Sequence, residues 1–317
     1  MAPSKAVLIT GVSSLTGLSS GSGRTTALRL HRAGWPVYAT GRSLAGLRDL
    51  ADEGITTLQV DVNDEAAMRA AVDRVCTDHG AVGVLINNAA YSLNGLIGET
   101  PLDEVRRQFD TNVFGLARMT QLVLPGMRQQ GAGRIVMMSS IFGLFATPGR
   151  GYYQATKHAL EAISDSLRME VAGDGIKVIV IQPSPILGGF VPTTVGDLQL
   201  APGADNGRYS QFWKYFVEWH GAYRDVERPK GRGRTAIRAA QVAQVVEKAI
   251  NAPNPRIRYK IGVPVRLLSP QRAIFGERAW SIFVTRFFPQ LTDKAVKEIP
   301  AEQPVGARPL PDPTGAG

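Results

Sequence analysis

AVLITGVSSLTGLSSGSGRTTALRLHRA, residues 6–33, passes from an apolar run, Ala6–Thr10, through a glycine-rich segment into an amphipathic stretch over 24–33. A short run of aliphatic and β-branched residues suits a strand buried on both faces of a parallel sheet. Glycines between such a strand and a helix let the backbone turn tightly and approach a pyrophosphate. The helix N-terminus behind them supplies unpaired N–H groups and the positive end of its dipole. Thr10-Gly11-Val12-Ser13-Ser14-Leu15 is nearly repeated at once as Thr16-Gly17-Leu18-Ser19-Ser20-Gly21. Either Thr10-Gly11 ends the strand and six residues bulge out, or the strand runs on and Thr16-Gly17 takes that place. The apolar run stops at Thr10, which favours Gly11 at the strand end with Gly21 and Gly23 opening the helix. The phosphate-loop candidates are Gly11, Gly17, Ser20, Gly21 and Gly23.

Outward from this unit, strand-like runs recur at 37–40, 57–60, 82–87, 134–139 and 177–182, with a further one at 256–261. Amphipathic stretches at 43–53, 64–79, 101–130 and 151–172 separate the first six runs, and another covers 239–251. Repeated β-α units predict an α/β fold, a doubly wound parallel sheet of Rossmann type. One catalytic domain is expected over 1–298, with a substrate-loop excursion at 183–235, a C-terminal helical extension at 265–288 and a disordered tail over 299–317. In the excursion, a helical count puts Phe212, Tyr215, Phe216 and Trp219 on one face. That face suits core or subunit packing and a lid over an apolar ligand equally well.

Cys76 is the only cysteine, so no intrachain disulfide forms and a reducing compartment, the cytoplasm, is expected. His31, His79, His158 and His220 are scattered, which speaks against a metal site. No signal-peptide pattern opens the chain, and no apolar run reaches the roughly 18 residues of a membrane span. The net charge of +9 lies wholly in residues 221–317, which hold 17 basic and 8 acidic side chains against 19 of each in 1–220. No aromatic-basic motif accompanies that charge, so nucleic acid is not expected as a partner. The region 265–288, with Trp280, Phe283 and Phe287 beside Arg278 and Arg286, has the character of a membrane-surface helix. Packing on the sheet or on another subunit is the favoured reading.

The strand ends carry the chemistry. The second closes on Gly41-Arg42, with no carboxylate for a ribose 2′-hydroxyl and a guanidinium suited to a 2′-phosphate, which favours NADPH over NADH. The third reaches Asp61, placed for an adenine edge, and the fourth runs into Asn87-Asn88-Ala89-Ala90. Both sets also suit loop backbone groups. Ser140 closes the fifth strand, where it can donate to a substrate oxygen. Tyr153 and Lys157 stand at i and i+4 on a helix, so they share a face. An ammonium one turn away favours the phenolate and moves a tyrosine toward general acid–base work.

In their order and spacing, the TGxxxGxG loop, Asn87-Asn88-Ala89-Ala90, Thr111-Asn112-Val113, Ser140, YQATK at 153–157 and a Pro183-containing loop resemble the short-chain dehydrogenase/reductase family over about residues 5–262. SDSLRMEV at 164–171 and GYYQATKHALEA at 151–162 are most similar to the branch of 17β-hydroxysteroid dehydrogenases and related carbonyl reductases. The resemblance implies that Tyr153 protonates a carbonyl oxygen, that Lys157 holds the nicotinamide ribose and lowers the Tyr153 pKa, and that Ser140 orients the carbonyl. Asn112 would hold a water linking Lys157 to solvent. Asn88, Tyr153, Lys157 and Pro183 would contact the cofactor. An NADPH-dependent oxidoreductase interconverting a hydrophobic ketone or aldehyde and its alcohol is implied, with a homo-oligomer as its assembly. Tyr152, five residues before Lys157, is in the wrong register. The chain departs from the family in its second Thr-Gly pair, in Ser184 after Pro183, and in Gly188 where a threonine commonly contacts the carboxamide. The repeat and Gly188 motivate an alternative, a non-catalytic NADP-binding regulatory or assembly subunit; the complete Asn112, Ser140, Tyr153 and Lys157 set argues for the enzyme.

Overall fold

The apolar runs form strands β1 (Val7–Ile9), β2 (Val37–Gly41), β3 (Thr56–Gln59), β4 (Val84–Asn87), β5 (Gly133–Met138), β6 (Ile176–Pro183) and β7 (Arg258–Ile261). They make one sheet in the order β3-β2-β1-β4-β5-β6-β7, with every neighbouring pair parallel. The computed structural model describes residues 2–12, 21–187, 209–223, 231–267, 276 and 278–282.

Side chains of a strand alternate between faces, and here both faces are covered. Leu8, Leu85, Ile135 and Val178 point to one side and pack on Val72 of α3 (Glu65–His79), Met119 of α5 (Leu116–Gln129) and Leu160 of α6 (Gly151–Glu170). Val7, Ile9, Ile86, Val136 and Ile179 point to the other. They meet Ala27 and Leu30 of α1 (Ser22–Arg32), Leu50 of α2 (Arg48–Asp52) and Val242 and Val246 of α8 (Ala239–Asn251). The β-α boundaries carry recognisable caps: Asp64 accepts from the amides of Ala66 and Ala67 at the start of α3, and Gly80 at φ 79° ends it.

Two expectations are corrected. The helix expected over 101–130 is not one α-helix: α4 (Leu102–Phe109) passes into a π-helical segment, Asp110–Gly115, before α5 begins. Such insertions mark functional positions in helices, and Asn112 lies inside this one. In the excursion, helix α7 (Ser210–Gly221) buries Phe212, Trp213, Phe216 and His220, while Tyr215 is 46% exposed. Of the expected face, Phe212 and Phe216 are thus buried, Trp219 is half-buried against Tyr223 and Tyr215 faces out, while Trp213 and His220 join the buried set. Among the described residues no helix is long and apolar enough to cross a membrane, and no cluster of His, Cys, Asp and Glu is arranged to hold a metal. Gly17, Ser20 and Gly188 lie outside the described residues, as do the tail over 299–317 and much of 265–288.

Candidate active site

β1 pairs with β2 on one side and β4 on the other. The chain order reverses there, and open parallel sheets form a ligand crevice at the carboxyl ends of such strands. Gly11 follows β1 at φ +66°, and a Cβ on it would lie 2.5 Å from the Ala89 Cα. Thr10 Oγ1 accepts from the amides of Asn88 and Ala89, each at 3.0 Å. The Asn88 Nδ2 donates to the carbonyls of Thr10 and Gly11, also at 3.0 Å. A Cβ on Gly23 would lie 2.4 Å from that same Nδ2. The two strand ends and the start of α1 are therefore locked around Asn88, whose side chain works within the protein. Gly21 is the N-cap of α1, with no side-chain cap and no acid in the first turn.

Arg42 is exposed just past β2, its carbonyl accepting from Gln59 Nε2 at 3.2 Å. Asp61 lies beyond β3, where its Oδ1 accepts from the amide of Asn63 at 2.9 Å. Pro183 ends β6 opposite Ile261. The Ser184 hydroxyl accepts from the Val265 amide at 3.2 Å, just past the end of β7, and the close approach of Gly262, at φ +99°, leaves no room for a side chain there.

On the β4-β5 side the structure brings Asn112, Ser140, Tyr153 and Lys157 together, all of them buried. The π-helical turn carries Asn112 to the backbone of Tyr91: its Oδ1 accepts from the Tyr91 amide at 3.0 Å and its Nδ2 donates to the Tyr91 carbonyl at 2.8 Å. The same Nδ2 reaches Thr156 Oγ1 on α6 at 3.2 Å. The Lys157 Nζ donates to the Met138 carbonyl at 2.8 Å and stands over the Tyr153 ring, 5.7 Å from its centroid. The Tyr152 hydroxyl points elsewhere, donating to the Ile97 carbonyl at 3.1 Å.

Burial pushes the Tyr153 pKa above the ordinary phenol range; the charge of Arg150 and a hydrogen bond from Ser140 oppose that shift. Lys157 lies over the ring face and donates to Met138, and the buried Arg150 is a second cation acting on the phenol. Burial also pulls Lys157 down to about 8, against the opposing charge of Glu161.

Arg150 and Glu161 were not singled out from sequence, although they stand three residues before Tyr153 and four after Lys157. Those spacings place each on the Tyr-Lys face, and that was the signal available. Arg150 is buried and donates from Nε to Asn94 Oδ1 at 2.9 Å. Its guanidinium lies 5.8 Å from the Phe142 ring centroid and 5.5 Å from that of Phe216 on α7. Gly149, at φ +82°, admits Phe212 and Phe216 so closely that a Cβ there would meet Phe216 at 2.8 Å. The aromatic excursion is thereby packed on the start of the helix that bears Tyr153.

A family model described as short chain dehydrogenase matches residues 5–195. The chain is 35% identical to the uncharacterized oxidoreductase YbbO of Escherichia coli K12, over 78% of this chain and 84% of that one. It is 31% identical to the 3-ketodihydrosphingosine reductase of Bacteroides thetaiotaomicron, over 80% and 88%. Human 17-beta-hydroxysteroid dehydrogenase type 1 is 31% identical over 77% and 75%. Among solved structures, a short-chain dehydrogenase from Streptomyces avermitilis superposes with a TM-score of 0.68 at 27% identity, covering 90% of this chain and 99% of that one. ElxO with NADP bound gives 0.62 at 25% identity, covering 81% and 96%.

Proposed function

The chain belongs to the short-chain dehydrogenase family, in its hydroxysteroid dehydrogenase-like branch, and from that premise we propose that it is an NADPH-dependent oxidoreductase interconverting a hydrophobic ketone or aldehyde and its alcohol. The observation that carries the reading is the convergence of Ser140, Tyr153 and Lys157 at the ends of β5 and α6, beside the crevice between β1 and β4. The residues fit a dinucleotide: the α1 N-terminus lacks a side-chain cap, Arg42 is exposed past β2, and Gly11 and Gly23 let Ala89 and Asn88 draw the ends of β1 and β4 and the start of α1 together. Gly11, Gly17, Ser20, Gly21 and Gly23 would hold the pyrophosphate, Arg42 the 2′-phosphate and Asp61 the adenine edge. Asn88, Pro183, Tyr153 and Lys157 would line the path of the nicotinamide half.

When bound, NADPH supplies hydride to the carbonyl carbon. Tyr153 donates its phenolic proton to the carbonyl oxygen, and its raised pKa keeps that proton in place at neutral pH. Ser140, hydrogen-bonded to Tyr153, orients the same oxygen. Asn112 fixes the Tyr91 backbone against α6, beside the buried Lys157. The hydrophobic substrate class is supported by the aromatic packing of α7 at Arg150 and by relatives named for a keto-lipid and a steroid alcohol. The single Cys76 supports a reducing compartment, the cytoplasm.

Fluorescence titration with NADPH and with NADH tests the cofactor reading. NADPH should bind more tightly, and Arg42→Ala should weaken NADPH by about 10- to 100-fold, the worth of a charged hydrogen bond, with NADH unchanged. Tighter NADH binding would overturn the role of Arg42. Binding of neither, in a folded protein, would overturn the enzyme reading.

We assign the homo-oligomer interface to α4 and the π-helical turn. Leu102 and Phe114 are 60% and 61% exposed there, and with Val105 and Phe109, flanked by Arg106 and Asp110, they line a largely apolar groove of about 260 Å³. Apolar side chains grouped in this way mark interaction surfaces. Phe114→Glu should convert the assembly to monomers in sedimentation velocity, and a monomeric wild type would end this assignment.

A further inference from the structure

Glu161 is buried at 8% exposure, one turn beyond Lys157 on the face of α6 that bears Tyr153. Three donors from three strand ends converge on its carboxylate. Ser139, which follows β5, and Gln182 of β6 (2.9 Å) donate to Oε1, while Arg258 Nε of β7 donates to Oε2 at 3.0 Å. Gly143 packs over the Ser139–Glu161 pair so tightly that a Cβ would lie 2.8 Å from Ser139 Oγ and 3.1 Å from Glu161 Cγ. Ser139 sits between Met138, whose carbonyl receives Lys157, and Ser140.

We propose that Glu161 is a positioning residue for the reaction, acting through Lys157 and through the Met138–Ser140 end of β5. Two links support it. The hydrogen bond to Ser139 fixes the peptide units that present the Met138 carbonyl to Lys157 and the Ser140 hydroxyl to Tyr153. The negative charge one turn away stabilises an ammonium that burial destabilises. The groups facing this pair are few among the described residues. On α6 they are Tyr153, Asp165 and, farther along, Arg168; on β7 there is Arg258; from β5 and β6 come the neutral Met138 carbonyl, Ser139 and Gln182. Arg258 pairs with Asp165 as well as Glu161, so the cation behind Glu161 is itself balanced.

The inference rests on the proposed roles of Tyr153 and Lys157, and its test is independent of turnover. In protein carrying 13Cε-lysine, with the Lys157 signal assigned by its loss in Lys157→Arg, the midpoint of the Lys157 titration is read by NMR. Wild type should titrate at about 8. Glu161→Gln should lower the midpoint by at least one unit, about tenfold in the acid dissociation constant. A purely structural role predicts the opposite, because a loosened site hydrates Lys157 and returns it toward its ordinary value. A midpoint unchanged or raised in Glu161→Gln would therefore overturn the proposal. Should that variant not fold, Glu161→Asp supplies the second arm: it draws the charge back from Lys157 by one methylene, so the midpoint should fall, whereas a loosened site would raise it, and a rise or no change would overturn the proposal. If wild type oxidises no NADPH with any ketone, the reductase reading fails while the Lys157 titration still decides the role of Glu161.

Discussion

Tyr153→Phe should lower kcat for ketone reduction by about a thousandfold, near the middle of the range for a positioned general acid. The dissociation constant for NADPH should move by less than about threefold, because the lost proton acts in the transition state alone. That loss corresponds to about 4 kcal/mol of activation free energy. The phenol lies among Ile141, Phe142, Phe145, Val265 and Trp280, and removing its hydroxyl leaves the ring packing intact. The fold should survive, and circular dichroism checks it. The outcome separates the enzyme from the non-catalytic NADP-binding subunit. A binding subunit would take up NADPH and show the same negligible turnover with or without the hydroxyl. An enzyme that used another proton donor would keep its rate. Steady-state NADPH oxidation across steroid, long-chain and aromatic ketones, with the titration in parallel, distinguishes all three.

Much of this site was legible because the fold writes it at strand ends. A buried parallel strand needs an unbroken apolar run, so Ala6–Thr10, 82–87 and 134–139 announced both the sheet and the positions that follow each strand. The same logic placed Gly11 at the strand end: the run ends at Thr10, β1 ends at Ile9, and the backbone turns at Gly11 to φ +66°. The π-helical turn at Asn112 was not legible. One extra residue per turn rotates the helix face without altering composition, and the apolar pattern over 101–130 is dense enough to fit a continuous helix. Which residues of α7 turn inward was only partly legible, for a related reason. Aromatic residues occupy 212, 213, 215, 216 and 219, so more than one stripe satisfies the periodicity. The choice belongs to Gly149 and Arg150, far away in sequence. Ser184, a departure from the family after Pro183, accepts from the Val265 amide, a partner that follows β7 and that no local pattern announces.

The second large effect lies at the other end of the crevice. Gly11→Ala should destabilise the protein by about 2–5 kcal/mol, which combines about 1–2 kcal/mol for an L-residue held at positive φ with about 1–3 kcal/mol for overpacking. Its Cβ would meet backbone, the Ala89 Cα at 2.5 Å and the Ala89 Cβ at 2.7 Å, so no side-chain rotation relieves the clash. Gly131 separates the two costs: it has nearly the same φ, +64°, and nothing within 4 Å of an added Cβ. Gly131→Ala should therefore lose only the conformational part, about 1–2 kcal/mol. Chemical denaturation of both variants measures the difference. Equal losses would mean that β1 and β4 part easily at their ends, and the close approach around Asn88 would then not define the crevice. A larger loss in Gly11→Ala, accompanied by weakened NADPH binding in the fraction still folded, would tie cofactor affinity to the packing of Gly11 on Ala89. The reason would be geometric: the hydrogen bonds between Asn88 and Thr10–Gly11 hold the end of β1 against the end of β4, where the crevice begins.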